Sequence, residues 1–281
     1  MKKNKYPLDS DNAEQVDRIE SALLEGLYPL SPDIKQRSKI QKQLFSRIRS
    51  SNEAESNRIT IRNKQGNWRN ILPGVRAKTL DKIKRAFILD IASGASLPMH
   101  RHHEDEECIV LHGTASLGDL EVQTGDYHLA RAGSRHGRIH SETGARIYLR
   151  GTPIGHNNEI ARDLVTALLP GNNNEWTTIR ADEGNWSELS CGVSSKPLFS
   201  NYKSYSSLIR IAEETHWNLS SQKVPQDEEY LILEGEAFFG DTLLQAGDWQ
   251  FVQSGSIYRP IATDEGVLLF RRGANDKVFS T

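Results

Sequence analysis

The pattern of apolar and polar positions divides the chain into a helical opening and a longer remainder of short strands. Between about residues 10 and 50, apolar residues recur every three or four positions, which is the spacing of an amphipathic helix. The apolar positions are Val16, Ile19, Leu23 and Leu27 in the first predicted helix, and Ile40, Leu44, Phe45 and Ile48 in the second. The pattern therefore predicts two helices that are broken near residues 28–32 and followed by a linker at residues 50–57.

Beyond the linker, apolar residues come in short runs that glycines interrupt, which is typical of a sandwich or a barrel. The strands predicted in the first half of this region are Ala86–Ala92, Glu107–Leu111, Tyr127–Ala130 and Ala145–Arg150. Residues 158–169 are predicted to form a short helix or, alternatively, a strand.

A tandem repeat underlies this second region. The sequence Thr60-Ile61-Arg62 returns 118 residues later as Thr178-Ile179-Arg180, and Trp68 returns at the same offset as Trp186. Past a four-residue insertion the offset becomes 122, and it keeps glycines 113, 118, 125, 133 and 151 in register with glycines of the second copy. The copies span about 58–151 and 176–273, which predicts domains at 1–57, 58–157 and 158–281, with the two tryptophans in equivalent places.

Composition and charge exclude several classes of protein. The 281 residues are 37% hydrophobic and 26% charged, which is enough apolar content to exclude a disordered chain. The net charge of −2 gives no basic field for direct nucleic-acid binding. No apolar run approaches the ~20 residues of a membrane span, and the opening residues lack the apolar segment of a secretory signal. Two cysteines exclude a disulfide framework, so a soluble, cytoplasmic protein is expected.

The most informative stretch begins at Gly94. His100 and His102 are two residues apart, so on a strand both side chains point to one face, and Glu106 keeps the same parity. A further ligand is expected from a neighbouring strand, and the next glycine-bounded unit ends in His136. Three imidazoles and one carboxylate would suit Zn, Fe, Mn, Ni or Cu.

The order G-x5-H-x-H-x3-E-x6-G, followed by a second glycine unit that ends in His136, resembles the two cupin motifs. Arg131 and His140 replace the usual proline and asparagine of the second motif. More narrowly, the residues around Trp68 and Pro73-Gly74-Val75 resemble the cupin domain of ChrR-type, zinc-dependent anti-sigma factors. The resemblance covers about 58–151 and, with lower fidelity, 176–273.

This resemblance implies an all-β fold of two tandem cupin jelly-roll barrels, preceded by a short α-helical N-terminal segment. It implies one divalent metal per chain, with His100, His102, Glu106 and His136 as its ligands. Zinc is the expected metal, and Fe, Mn or Ni are the alternatives. At the same positions the second copy has Gln222, Val224, Glu228 and Tyr258, which form a poor ligand set, so this barrel is expected to be structural.

Three further residues are candidates for lining the metal cavity: Cys108, Tyr127 and His140. Cys108 shares the parity of the ligands, although a small buried hydrophobic residue is the alternative interpretation. The other histidines are interpreted as surface or pocket residues.

Two functions compete. The first is a regulatory, metal-binding sensor whose N-terminal helices contact a sigma factor or another regulatory protein, although residues 1–60 contain no His or Cys for a second zinc motif. These helices could instead form an amphipathic cap on the β-domains. The second function is a mononuclear non-haem dioxygenase acting on a small organic substrate through the same ligands. Because no acid–base pair stands out, the sequence favours the sensor over an enzyme, as a monomer or a dimer.

Overall fold

The computed structural model describes Arg18 and residues 34–152, 154, 176–201, 204–219 and 223–273, without the side chains at 48–56 and 136. It contains one described helix, α1 (Ile34–Ser56). The strands of the first sequence copy are β1 (Arg58–Ile61), β2 (Trp68–Leu72), β3 (Val75–Asp81), β4 (Ala86–Ile91), β5 (Ser96–Leu97), β6 (His100–Arg101), β7 (Glu106–Leu117), β8 (Leu120–Gln123), β9 (Tyr127–Ala130), β10 (Arg135–His136), β11 (Ile139–His140) and β12 (Ala145–Arg150). Those of the second copy are β13 (Trp176–Ile179), β14 (Ser187–Ser190), β15 (Val193–Ser200), β16 (Tyr205–Ile211), β17 (Thr215–Trp217), β18 (Glu228–Phe239), β19 (Thr242–Gln245), β20 (Trp249–Val252), β21 (Ile261–Thr263) and β22 (Val267–Gly273).

These strands form two barrels of the same design. In the first, the main layer runs in the order β13-β9-β7-β12-β4-β3-β2, and in the second it runs β1-β20-β18-β22-β16-β15-β14. A smaller layer, built on the far half of β7 or β18, closes each barrel over an apolar core. The predicted all-β fold of two barrels, preceded in the sequence by a helix, is confirmed.

A single glycine lets the longest strand of each barrel belong to both layers. Gly113 in β7 has a positive φ of 79°, and a Cβ at this position would lie 2.1 Å from the carbonyl oxygen of Gly144. Gly235 in β18 repeats this arrangement against Gly266, with a φ of 73°. Only glycine adopts such a backbone conformation at such a close approach without strain. The repeated glycines thus mark the points where the sheets fold over.

The first strand of each copy is exchanged between the barrels. β1 pairs with β20 of the second copy, and β13 pairs with β9 of the first. Matching ion pairs hold the two strand ends, with Arg62 Nη1 2.9 Å from Asp248 and Arg180 Nη1 2.8 Å from Asp126. The sheets therefore do not follow the limits of the two sequence copies.

The two barrels share an apolar interface that two part-buried ion pairs reinforce. Its core includes Tyr127, Tyr148, Trp249 and Phe270, among other buried side chains. Arg272 Nε lies 2.6 Å from Glu107, and Arg150 Nε lies 2.9 Å from Glu229, so each barrel supplies one acid and one base. Both carboxylates are buried, so removal of either arginine would leave a buried charge uncompensated. The two barrels therefore stabilise each other.

The helical opening differs from the prediction at one end. The linker expected at residues 50–57 was wrong, because α1 continues through Ser56. Except for Arg18, the first predicted helix lies outside the described residues, as does the segment at 158–169. Among the described helical residues, none forms a segment apolar and long enough for a membrane crossing.

Candidate metal centre

The predicted ligands lie where two short strands meet at one end of the first barrel. β6 pairs with β10, which places the backbone of His136 directly opposite that of His100. Two further backbone hydrogen bonds join His102 to residues 133–134. The His102 amide donates to the Ser134 carbonyl over 2.9 Å, and the Gly133 amide donates to the His102 carbonyl over 2.7 Å. The backbone thus joins the two motif segments before any metal is considered.

Three predicted ligands converge. One ligand atom each from His100, His102 and Glu106 lies within 4.8 Å of the others. His102 Nδ1 lies 3.6 Å from Glu106 Oε2, and both side chains are buried. The side chain of the fourth predicted ligand, His136, lies outside the described residues, so the structure assembles a triad and places the backbone of the fourth residue beside it.

Two neighbouring groups orient these ligands. His100 Nδ1 lies 3.2 Å from the carbonyl oxygen of Pro98, which can only accept, so Nδ1 is the donor in this hydrogen bond and Nε2 is the nitrogen that could bind a metal. The hydroxyl of Thr152 donates to Glu106 Oε2. Such outer hydrogen bonds hold metal ligands in position. Thr152 carries no signal in the sequence, because it follows the last strand of the copy at a distance of 46 residues from Glu106.

The donor set fits a divalent transition metal. Imidazole nitrogens suit Zn, Fe, Ni and Cu, whereas Ca²⁺ and Mg²⁺ prefer oxygen ligands alone. His100, His102 and Glu106 would hold the ion, and the position of the His136 backbone suits a fourth ligand. Burial of the Glu106 carboxylate beside two histidines favours a cation at this place.

The second barrel satisfies its equivalent carboxylate with a protein cation. Arg271 Nη2 donates to Glu228 Oε1 over 2.6 Å, and the Tyr258 hydroxyl donates to the same oxygen over 2.6 Å. Burial raises the pKa of Tyr258 and of Tyr230, which also donates to Glu228, so both hydroxyls keep their protons. Val224 replaces the ligand His102. A guanidinium and two phenols thus surround the carboxylate whose equivalent in the first barrel lies beside two imidazoles.

The three predicted cavity residues are separated by the structure. Cys108 points into the core of the first barrel, and burial, together with the charge of Glu106, raises the pKa of its thiol. Tyr127 was wrongly predicted to line the cavity: it packs between the barrels and donates to Glu107 over 3.0 Å. His140 follows the core residue Ile139 on a strand, so it faces away from that core, and its Nδ1 lies 3.0 Å from the Ala95 carbonyl oxygen.

His128 takes the inward position that the sequence assigned to Tyr127. It pairs with Cys108 across β7 and β9 and is buried, with Nδ1 2.9 Å from Thr178 Oγ1 of the exchanged strand β13. Side chains of directly paired residues lie on the same face of a sheet. The sequence places Cys108 on the inward face of β7. It could have placed His128 on the same face only if the register between β7 and β9 had been known. Nearby, an open cavity of about 420 Å³ lies between His128 and the segment before His136.

Comparison with known proteins supports this architecture. Residues 56–154 and 174–274 match the family model described as the ChrR cupin-like domain. No curated protein is significantly similar in sequence.

Solved structures with both barrels include a candidate dioxygenase from Nostoc punctiforme, at 17% identity and a TM-score of 0.58, with 80% of this chain and 84% of that chain covered. They also include oxalate decarboxylase from Bacillus subtilis, at 18% identity and a TM-score of 0.51, with 78% and 76% covered. A third is the formate complex of Lactobacillus farciminis oxalate decarboxylase, at 16% identity and a TM-score of 0.51, with 78% and 86% covered. At these identities the similarity is one of fold.

Proposed function

Because this chain belongs to the ChrR cupin-like domain family, we propose that it is a regulatory protein that holds one divalent metal in its first barrel. His100, His102 and Glu106 bind the ion, with His136 as the fourth ligand. The second barrel carries no metal and serves to complete and stabilise the first.

One contrast between the barrels supports this proposal above all. The carboxylates of Glu106 and Glu228 occupy equivalent, buried positions, and in the second barrel the Arg271 guanidinium donates to Glu228. The first barrel has Leu149 at the position of Arg271 and two imidazoles beside its carboxylate. A buried carboxylate requires a compensating positive charge. A bound metal supplies that charge in one barrel, and an arginine supplies it in the other.

Zinc is the proposed metal, with Fe, Mn or Ni as alternatives. Zinc supplies a fixed positive charge without redox chemistry, and both His nitrogen and carboxylate oxygen are among its usual ligands. A zinc ion at this place would connect β6, β10 and the start of β7, and would thereby order this end of the barrel. A barrel end whose order depends on bound metal suits a sensor. The proposed partner is a sigma factor or another regulatory protein that contacts the N-terminal helical segment, in the cytoplasm.

A second candidate function is that of a metal-dependent dioxygenase. The cavity of about 420 Å³ beside the centre favours this alternative, because it falls within the range of small-molecule sites. In this reading the histidines and Glu106 would bind a redox-active metal, and the cavity would position the organic substrate. The Nostoc punctiforme protein, which is similar in fold, is a candidate dioxygenase.

Metal analysis and oxygen uptake separate the two functions. The protein is purified without an affinity tag, its metals are quantified, and oxygen consumption of the Fe-loaded form is recorded with small organic acids and β-dicarbonyl compounds. One equivalent of zinc and no uptake supports the sensor. Steady uptake by the Fe form that Glu106→Gln abolishes makes the protein an oxygenase. Less than a tenth of an equivalent of any metal, after growth and dialysis with each, would contradict both.

A further inference from the structure

We infer that the first barrel binds a small organic monocarboxylate with an apolar body, in a cavity that both sequence copies build. The inference rests on the proposed function because the cavity adjoins the metal centre. It applies equally to a signal molecule and to a substrate.

The cavity joins one cationic and several apolar side chains. Met99, Leu117 and Leu120 line it together with Arg135, His128 and Trp176. Met99 and Arg135 directly precede His100 and His136 in the sequence, so the cavity adjoins the strand pair that carries these proposed ligands. Its volume of about 420 Å³ is well above the ~30 Å³ that one water molecule occupies in the liquid. A molecule of about ten non-hydrogen atoms would therefore fit.

The equivalent place in the second barrel is filled. There the enclosed space is only about 10 Å³, between Phe239, Arg259 and Tyr258. Phe239 stands at the position of Leu117, and Arg259 at that of Gly137. The same fold thus closes the space in one copy with larger side chains and leaves it open in the other. The open cavity is consequently a property of the first copy and is not imposed by the fold.

The lining selects the chemical class of the ligand. The Arg135 guanidinium can bind a carboxylate through two parallel hydrogen bonds. Asp119 lies exposed on the adjacent hairpin and lines the rim, so a second negative charge on the ligand would be repelled there. The two leucines and Met99 favour an apolar body. A dicarboxylate or an uncharged polar molecule would fit this lining less well.

Trp176, on the exchanged strand β13, contributes to the lining of the cavity. It lies on β13, which belongs to the second copy in sequence but pairs with β9 of the first barrel. Its side chain is 44% exposed, so an indole surface is available to a bound ligand. Large aromatic side chains contribute strongly to the binding of apolar groups. The cavity is therefore incomplete without the second copy.

The test measures binding of hexanoate and phenylacetate, and of their neutral amides, to the full chain by isothermal titration and by tryptophan fluorescence. Both carboxylates are expected to bind at least tenfold more tightly than their amides. Arg135→Ile, which installs the residue of the second copy (Ile257), should weaken carboxylate binding at least tenfold and leave amide binding unchanged. Leu117→Phe, which copies Phe239, should weaken all four compounds. Ile257→Ala in the second barrel is the matched control and should change nothing.

Metal content is measured for every variant, so loss of the metal centre is distinguished from loss of the ligand site. A variant that keeps its metal but loses carboxylate binding supports the inference and leaves the proposed function intact. Amides that bind as tightly as their carboxylates would overturn it. So would tighter binding of succinate or phenylalanine than of hexanoate and phenylacetate, or unchanged binding in Arg135→Ile.

Discussion

Arg271 and Glu228 form a fully buried ion pair, with Nη2 2.6 Å from Oε1, at the place where the first barrel has Leu149 and Glu106. The two barrels thus surround equivalent buried carboxylates with different side chains. In the second barrel the compensating cation is covalently part of the protein. In the first, a ligand atom from each of two histidines lies within 4.8 Å of the carboxylate, in a group that could hold a metal ion.

Replacing Arg271 with leucine should be severely destabilising. The variant leaves the Glu228 carboxylate buried without its cation, and removing one partner of such a pair typically costs about 3–5 kcal/mol. Urea unfolding followed by circular dichroism measures this loss. The double variant Arg271→Leu/Glu228→Gln should recover most of it, whereas Arg69→Leu, at an exposed position, should have little effect. Equal stability of the three variants would contradict the argument.

Metal binding should depend on the first barrel alone. His102→Ala should reduce the metal content well below one equivalent, because three ligands hold a divalent ion less tightly than four. Tyr258→Phe in the second barrel should leave the content unchanged. Mass spectrometry of dialysed protein provides the measurement. The same metal content in both variants would disprove a single centre at this place.

Thr152 should tune the affinity of the centre without being a ligand. Its hydroxyl donates to Glu106 Oε2, and loss of such an outer hydrogen bond typically lowers metal affinity about 10- to 100-fold. Thr152→Val should show this decrease in a competition titration with a chelator. Thr143→Val is the control, because the Thr143 hydroxyl contacts only Thr114 among the described hydrogen bonds. A decrease of similar size in the control would contradict the assignment.

The sequence predicted the barrels and the ligands for clear physical reasons. Glycines kept in register mark turns and fold-over points such as Gly113, where a Cβ would collide with the Gly144 carbonyl oxygen. His100, His102 and Glu106 follow one another within a single segment, so strand parity alone groups them.

Two other features could not be read from the sequence. Arg271 is 43 residues from Glu228, and no local pattern connects them. The strand exchange is hidden for a different reason, because Arg62 and Arg180 are equivalent residues that end identical Thr-Ile-Arg segments. Their acceptors, Asp248 and Asp126, are equivalent as well. Exchanged and unexchanged arrangements therefore satisfy the same types of contact.

The two cysteines should differ sharply in reactivity. Cys191 is exposed, whereas Cys108 is buried in the first barrel, where burial raises the pKa of its thiol. Since the thiolate is the reactive form, the folded protein should release one equivalent of chromophore from a thiol reagent at pH 8, and two after unfolding. Cys191→Ser should release none until it unfolds. Rapid reaction of Cys108 in the folded variant would show that the barrel core is open.

The strand exchange is testable in the full chain by disulfide trapping. Thr60 lies opposite Gln250, and the Gln250 amide donates to the Thr60 hydroxyl over 2.9 Å, so cysteines at these two positions are close enough to bond. In a Cys108→Ala/Cys191→Ser background, Thr60→Cys/Gln250→Cys should form an intramolecular disulfide that peptide mass spectrometry detects. Thr60→Cys/His128→Cys is the matched control, since these residues would face each other only if each copy kept its own first strand. A disulfide in the control pair, and none in the first pair, would overturn the exchanged arrangement.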